Sequence, residues 1–408
     1  MKTHIAETST QKGCLLEFEP LKQFMGEGFV MVPQVIPLDQ LEDLRTQYEI
    51  LVDRQKVIWA KNRKPDDPPG GVWESSSLPR LNVDNVVEPD TADTLEFLLH
   101  ENIMKMNRAL MGTPDIVPQR MFLMCNPVQD HGPSTWHFDI NTEEQPPLGS
   151  LHKNLVANGP TTVQWNIALY DDSVFWVVPG SHRRPTTEEE NRCLLESLRK
   201  PLPTGKPIEL KAGDGLVYTN AINHWGSNYS SKLRRTLLVG YRSFGGSSFP
   251  FNPHYRWWDL DFTKHLSPRA RNAFKRARKL LENEVDQIAS VYRAVIAKDE
   301  PTFREGLNVL HPAEDVQIVS LALLERLAKK VRFDPTGTHQ IWQHERITER
   351  LTTSEIETLW PRFEAFDEKL QSSRVEYATG FNGEPGGLYP YDMPADYHVE
   401  DFVAGWKN

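Results

Sequence analysis

Two histidines, an aspartate and an arginine carry the chemistry that this chain could perform. His137 and Asp139 lie in Trp136-His137-Phe138-Asp139, and His224 lies in Asn223-His224-Trp225-Gly226-Ser227-Asn228, 87 positions after His137. A His-x-Asp pair on a strand sends both side chains to one face, because strand side chains alternate with period two. A second histidine arriving from a distant strand completes two imidazoles and one carboxylate on one face of a metal. Such a facial set leaves coordination positions open and suits Fe(II) that must bind a cosubstrate and oxygen. Arg234 follows with a fixed fork of donors for a carboxylate. Together these residues point to an iron oxygenase that consumes 2-oxoglutarate, with Fe(II), 2-oxoglutarate and O2 as cofactor and cosubstrates.

Each assignment has a competitor. His137 and His224 could be ordinary half-buried histidines, and His131, His152, His182 and His254 are rival ligands. His182 closes Pro179-Gly180-Ser181-His182, a tight turn at a strand end, which favours a structural role. No cysteine falls in the constellation, so a structural zinc site does not fit. The donor set alone leaves zinc hydrolase chemistry open, although no HExxH helix is present. Arg234 and Thr236 point the same way on one strand, and an inward arginine is costly unless a carboxylate meets it. A bound 2-oxoglutarate supplies one, with the Thr236 hydroxyl as a further donor, and Arg235 then faces solvent. The alternatives are an ion pair with one of the 56 acidic residues and a clamp made by Arg235. Phe138, Asn141 and Trp225 flank the ligands and are candidate substrate contacts, packing being the other reading of the two aromatics.

These residues need a scaffold. Leu21 to Val32 reads as a short helix, a glycine stop at Gly28 and a strand. Pro37 and Asp39 open an amphipathic helix with Leu38, Leu41, Leu44, Tyr48 and Leu51 on one side. Ala92 to Leu110 reads as another helix. From about Val117, β-rich runs follow at short intervals: Arg120–Cys125, Ser134–Ile140, Thr161–Leu169, Val174–Val178, Pro207–Leu210, Leu216–Thr219 and Arg234–Phe244. Such spacing predicts a sandwich or barrel of antiparallel strands, with a partly helical insertion between Arg183 and Thr204. After about Gly246 the pattern is helical again. Ser267-Pro268 starts one helix through Phe274, Leu281, Val285, Ile288, Tyr292 and Val295. Ala313–Val331 is a second helix, and Thr353–Gln371 a third, bent or interrupted at Pro361.

Composition narrows the class. The chain has 408 residues, 39% hydrophobic and 25% charged, ordinary for a globular protein. It has no apolar run long enough for a membrane span and no apolar signal core near Met1, so a cytoplasmic protein is expected. Cys14, Cys125 and Cys193 are widely spaced and form no disulfide framework. A net charge of -10 argues against a nucleic-acid partner. The basic helix positions Arg269, Arg271, Lys275, Arg276, Arg278 and Lys279 read as a solvated face, or as a site for an acidic partner. The helical region is expected to cover a β face, shape the substrate entrance or form a homo-oligomer contact.

Four stretches resemble the phytanoyl-CoA dioxygenase family of Fe(II)/2-oxoglutarate oxygenases. They are Glu27-Gly28-Phe29-Val30-Met31-Val32-Pro33, Trp136 to Asp139, Val177 to His182, and Gly213 through His224 to Arg234. The resemblance implies an α+β fold with a double-stranded β-helix (jelly-roll, cupin-like) core and N-terminal flanking helices. It implies His137, Asp139 and His224 as iron ligands, Arg234 as the 2-oxoglutarate clamp, and Asn166 in the cosubstrate pocket. The oxygenase region is set at 15–250 and a C-terminal helical extension at 251–408. Related halogenases lose the carboxylate that Asp139 supplies, so hydroxylation of an unactivated C–H in a small organic molecule, or a related oxidation such as desaturation or ring closure, is expected, with release of succinate and carbon dioxide. Two departures stand out: Phe175-Trp176 where the family has Asn-Gly, and a His224-to-Arg234 interval one residue short. The rivals are a jelly-roll binding protein without oxygen chemistry and a metal-dependent isomerase or hydrolase.

Overall fold

The computed structural model describes residues 19–140, 147–244, 260–311, 317–334, 344–372, 374–377, 387–390, 393–394 and 396–406. Its centre is a six-stranded antiparallel sheet. The strands are β1 (Phe29–Val32), β2 (Arg80–Asn82), β3 (Ile116–Cys125), β5 (Thr162–Ala168), β8 (Gly215–Tyr218) and β11 (Arg235–Ser243), in the order β1-β8-β5-β11-β3-β2. A smaller sheet holds β6 (Asp172–Val177), β7 (Lys206–Leu210) and β9 (His224–Trp225). A two-stranded ribbon pairs β4 (Gly132–Pro133) with β10 (Ser227–Asn228). The protein is thus α+β with antiparallel sheets.

Period-two alternation divides the large sheet into two faces. On β11, Leu237, Val239 and Tyr241 pack outward with Leu123, Ile167 and Val217 against the flanking helices, including Leu44, Tyr48 and Leu51 of Leu41–Lys61. The intervening Leu238 joins Met124, Ala168, Leu216 and Tyr218 on the other face. These meet Phe175, Val177, Ile208 and Leu210 of the small sheet across a second core. The metal-ligand candidates lie over that inner face.

Local expectations fail where tertiary bonds intervene. Ser134–Ile140 does not form a strand: His137 makes one isolated antiparallel bridge to His224. Its neighbours bond elsewhere, Trp136 N–H to Leu198 O at 2.9 Å and Asp139 N–H to Asn220 O at 2.9 Å, so no ladder propagates. Ala92–Leu110 is not one helix. It breaks at His100, whose extended backbone caps the helix Glu101–Met111 with its ring accepting from Asn102 N–H. Leu38 lies before the Leu41–Lys61 helix and is exposed rather than on its buried side. The helix Thr353–Ser372 runs through Pro361 without a break.

C-terminal to the sheets, Ser267 caps a long helix, Pro268–Ala297, by accepting from Ala270 N–H. Its first half (Ala270, Phe274, Ala277, Leu281) belongs to the core around the large sheet. Its second half (Val285, Ile288, Tyr292, Val295) belongs to a helical core with Leu323, Leu327, Phe363 and Phe402. A short helix absent from the sequence reading, Glu300–Leu310, joins that core. Val319 of the Gln317–Phe333 helix packs with Phe138, Ile140 and Leu151, so the extension covers a β-region face beside the ligand segment. Among the described residues, no helix is long and apolar enough to cross a membrane. Trp257-Trp258, His254 and Asn141 lie outside the described residues.

Candidate metal centre

His137, Asp139 and His224 converge. One ligand atom from each lies within 4.8 Å of the others, and among the described residues they form a ready cluster of metal donors. His137 Nε2 is 3.5 Å from Asp139 Oδ1, and His224 Nε2 is 3.6 Å from Oδ2. The opposite ring nitrogens are tied back. His137 Nδ1–H donates to Thr135 O at 2.7 Å, and His224 Nδ1–H donates to Ile222 O at 2.9 Å. These bonds fix the tautomer that leaves each Nε2 lone pair facing the carboxylate, as metal-bound histidines require. Three donors of N and O type on one side, with no donor opposite among the described residues, fit a facial Fe(II) site.

The carboxylate is oriented from below. Gln164 Nε2–H donates to Asp139 Oδ2 at 2.9 Å, and Tyr218 O–H donates to Gln164 Oε1 at 3.3 Å. Sequence reasoning missed both residues, although Gln164 sits two positions before Asn166 and therefore shares its face. Burial works against the Asp139 anion, but the His224 and His137 rings and Arg120 outweigh it and hold the carboxyl far below its usual range. Burial pushes His224 down to about 4, helped by the charge of His137. Burial also opposes protonation of His137, yet its hydrogen bond to Asp139 and that residue's charge raise its pKa overall. The apo site is therefore a carboxylate with one neutral and one proton-prone imidazole, and a divalent metal would take the place of that proton.

Arg234 faces the inner core, as expected, and Thr236 lies on the same face. A protein carboxylate already meets them: Arg234 Nε–H donates to Asp172 Oδ2 at 3.1 Å, and the Thr236 hydroxyl bonds the same oxygen. No described residue takes a hydrogen bond from the terminal nitrogens of Arg234. Arg235 does not face solvent. It is buried on the outer face, where it pairs with Glu49 at 2.8 Å because the Leu41–Lys61 helix covers that side. Asn166 is buried on the inner face with Oδ1 lacking any partner.

The other candidates separate cleanly. Trp225 stacks on Trp136 at 4.7 Å within a cluster of Val178, Leu194 and Leu202, and Phe138 packs with Leu148, Leu151 and Val319. Both take the packing role, because they alternate to the faces opposite the ligands. His182 Nε2–H donates to Met25 O at 3.0 Å, which bears out its structural reading. Gly28 (φ 90) makes room for that ring: a Cβ there would lie 2.6 Å from His182 Nδ1. Cys125 and Cys193 are free thiols.

A facial His-Asp-His set over the inner face of an antiparallel sheet defines a non-haem metal oxygenase type of site. Residues 24–236 match the profile of "Phytanoyl-CoA dioxygenase (PhyH)", and the chain belongs to that family. It is an Fe(II)- and 2-oxoglutarate-dependent dioxygenase. Among solved structures it is similar to AviO1 from Streptomyces viridochromogenes Tue57, at 22% identity over 56% of this chain and 95% of that one, with a TM-score of 0.41. It is also similar to HygX from Streptomyces hygroscopicus with nickel and 2-oxoglutarate bound, at 17% identity over 58% and 89%, TM-score 0.40. A third is EctD from S. alaskensis with 2-oxoglutarate and 5-hydroxyectoine, at 14% identity over 58% and 80%, TM-score 0.42.

Proposed function

We propose that the protein hydroxylates an unactivated C–H bond of a small organic molecule, with His137, Asp139 and His224 as the iron ligands. The observation that carries this reading is the pair of tied Nδ1 atoms, which leaves both Nε2 lone pairs and the Asp139 carboxylate free to converge on one ion. When bound, iron and 2-oxoglutarate supply the oxygen activation, yielding succinate and carbon dioxide. The protein's own residues do the positioning. Gln164, held by Tyr218, orients the Asp139 carboxylate. Arg234 and Thr236 receive the distal carboxylate of 2-oxoglutarate, and Asn166 supplies a polar contact along the way. The retained Asp139 favours hydroxylation over chemistry that needs a vacant carboxylate position. The two facing sheets are read as a double-stranded β-helix spanning about 15–250, and 251–408 as a helical extension that narrows access to the metal.

Anaerobic titration of the apo protein with Fe(II) and 2-oxoglutarate tests this. The expected result is a visible charge-transfer band of the iron–keto acid chelate, absent in His224→Ala. Folded wild-type protein that binds Fe(II) without developing the band would sink the reading. An oxygenated product carrying one atom from labelled O2 would then separate hydroxylation from desaturation or ring closure.

A further inference from the structure

We propose that Arg120, assisted by Arg80, is a binding site for an anionic group, a carboxylate, on the substrate. The proposal rests on the iron-site reading above and names the substrate class that the site would take.

The inner face of the large sheet is read row by row from its register. Tyr218 pairs with Gln164, Gln164 with Gly240, and Gly240 with Arg120. Arg120 is therefore in the row that carries the hydrogen bonds beneath Asp139. Gly240 stands between Arg120 and Gln164 without a side chain. A Cβ there would sit 3.7 Å from Arg120 Cβ and Cγ, so the bare backbone leaves the lane between them open. Arg120 is close enough for its charge to act on both Asp139 and Tyr218.

What sets Arg120 apart is that no described carboxylate pairs with it directly; the acid that feels its charge is Asp139, the candidate metal ligand. Arg234 on this face has Asp172, and Arg242, fully buried, has Glu284 at 2.6 Å. Arg120 is half-buried and makes no hydrogen bond or ion pair with any described residue. Arg80 comes from the neighbouring edge strand β2, opposite Met124, with its guanidinium 5.9 Å from the Phe122 ring centroid. It too makes no ion pair with a described residue, feeling only the charge of Asp139, and the two guanidinium groups lie close enough to repel one another. Two like charges set close together, Arg120 half-buried and Arg80 exposed, raise the local potential and draw in an anion. The forked donors of arginine match a planar carboxylate. With the cosubstrate's distal carboxylate assigned to Arg234, this second pair is left for the substrate, held beside the ligand that borders the open metal positions.

Benzoate is the probe and benzamide its neutral control, added to the full chain loaded with Co(II) and saturating 2-oxoglutarate. Proton relaxation of each probe reports its closeness to the paramagnetic ion. Benzoate is expected to relax much faster than benzamide. Arg120→Gln should weaken benzoate binding about tenfold or more, the loss of one charged hydrogen-bonding partner, and Arg80→Gln less. Arg120→Lys should retain part of the effect, which guards against simple misfolding. The 2-oxoglutarate titration should be unchanged in all three variants. Equal relaxation of the two probes, or benzoate binding indifferent to Arg120→Gln, would overturn the proposal. Weakened 2-oxoglutarate binding in Arg120→Gln would also overturn it, by giving the pair to the cosubstrate. Failure of the wild-type protein to form the iron–keto acid chelate would instead reject the underlying site reading.

Discussion

Asp172 and Arg234 form a buried ion pair at 3.1 Å, and Thr236 bonds the same carboxylate oxygen. One internal acid thus sits on the two donors proposed to receive 2-oxoglutarate. Either the cosubstrate shares Arg234 through its terminal nitrogens or it displaces Asp172. Burial opposes the Asp172 anion, but Arg234, Thr236 and the Val174 N–H outweigh that and hold its pKa below the ordinary value.

Asp172→Asn leaves Arg234 buried without its counter-charge. Breaking a buried pair from one side costs about 3 kcal/mol. The apo variant should melt earlier, recover with added 2-oxoglutarate, and show a lower KM for it. Arg234→Gln should raise that KM at least about tenfold. Thermal melts with and without 2-oxoglutarate, and initial rates across its concentration, measure both. An unchanged KM in Arg234→Gln would move the clamp elsewhere.

Arg235→Gln makes the complementary test. Its partner Glu49 belongs to the helix on the outer face, so the variant should lose stability, about 1–3 kcal/mol, without any change in 2-oxoglutarate affinity. Denaturant unfolding beside a 2-oxoglutarate titration separates the two effects. A selective loss of cosubstrate affinity would reverse the assignment of the two adjoining arginines.

The pH dependence of stability has a definite sign. Burial holds His224 and His182 down to about 4 and His152 to about 3, against 6.5 when unfolded. Burial raises Glu325 to about 8 from 4.5. Between pH 4.5 and 5.5, unfolding lets three imidazoles bind protons while one carboxyl releases its own, a net uptake of about two. His137, with its raised pKa, is protonated in both states there and adds nothing. The apo protein should therefore lose roughly 2–3 kcal/mol per pH unit as pH falls through this window. Bound metal should raise stability most at the upper end of the window and steepen the fall, because it displaces the proton from His137, which unfolding then restores. Denaturant midpoints at several pH values, with and without Zn(II) or Co(II), test this, and a flat apo profile would contradict it.

Gly28→Ala should destabilise by about 1–3 kcal/mol. The position has φ 90, and the added methyl would meet the His182 ring that anchors the turn after β6 to Met25. His182→Ala in the same background should relieve part of the cost. Strictly additive losses in a double-mutant cycle would show that the two residues do not meet.

The triad was legible because its donor types are rare in combination and their spacing survives the fold. His137 and Asp139 share a face even though their segment makes one bridge rather than a strand. The inward placement of Arg234 followed from period two, and so did the outward placement of Arg235. The acids that meet them did not follow, because Asp172 and Glu49 arrive from strands and helices whose relative positions no local pattern encodes. Gln164 and Arg120 were hidden for a related reason. A polar residue in a β-rich run gains meaning only once register sets it beside Asp139. The break at His100 was missed because apolar periodicity continues across it, while its capping ring competes with the helix.

The Pro268–Ala297 helix commits its two halves to different cores. Melting either end strips the other of a wall: Phe274 and Leu281 on one side, Tyr292 and Val295 on the other, each worth roughly 1.5–3 kcal/mol of burial. A single rigid rod shared in this way welds catalytic scaffold and extension into one cooperative unit. A chain cut after β11 would not be a smaller enzyme but one with an open seam along its large sheet, prone to self-association.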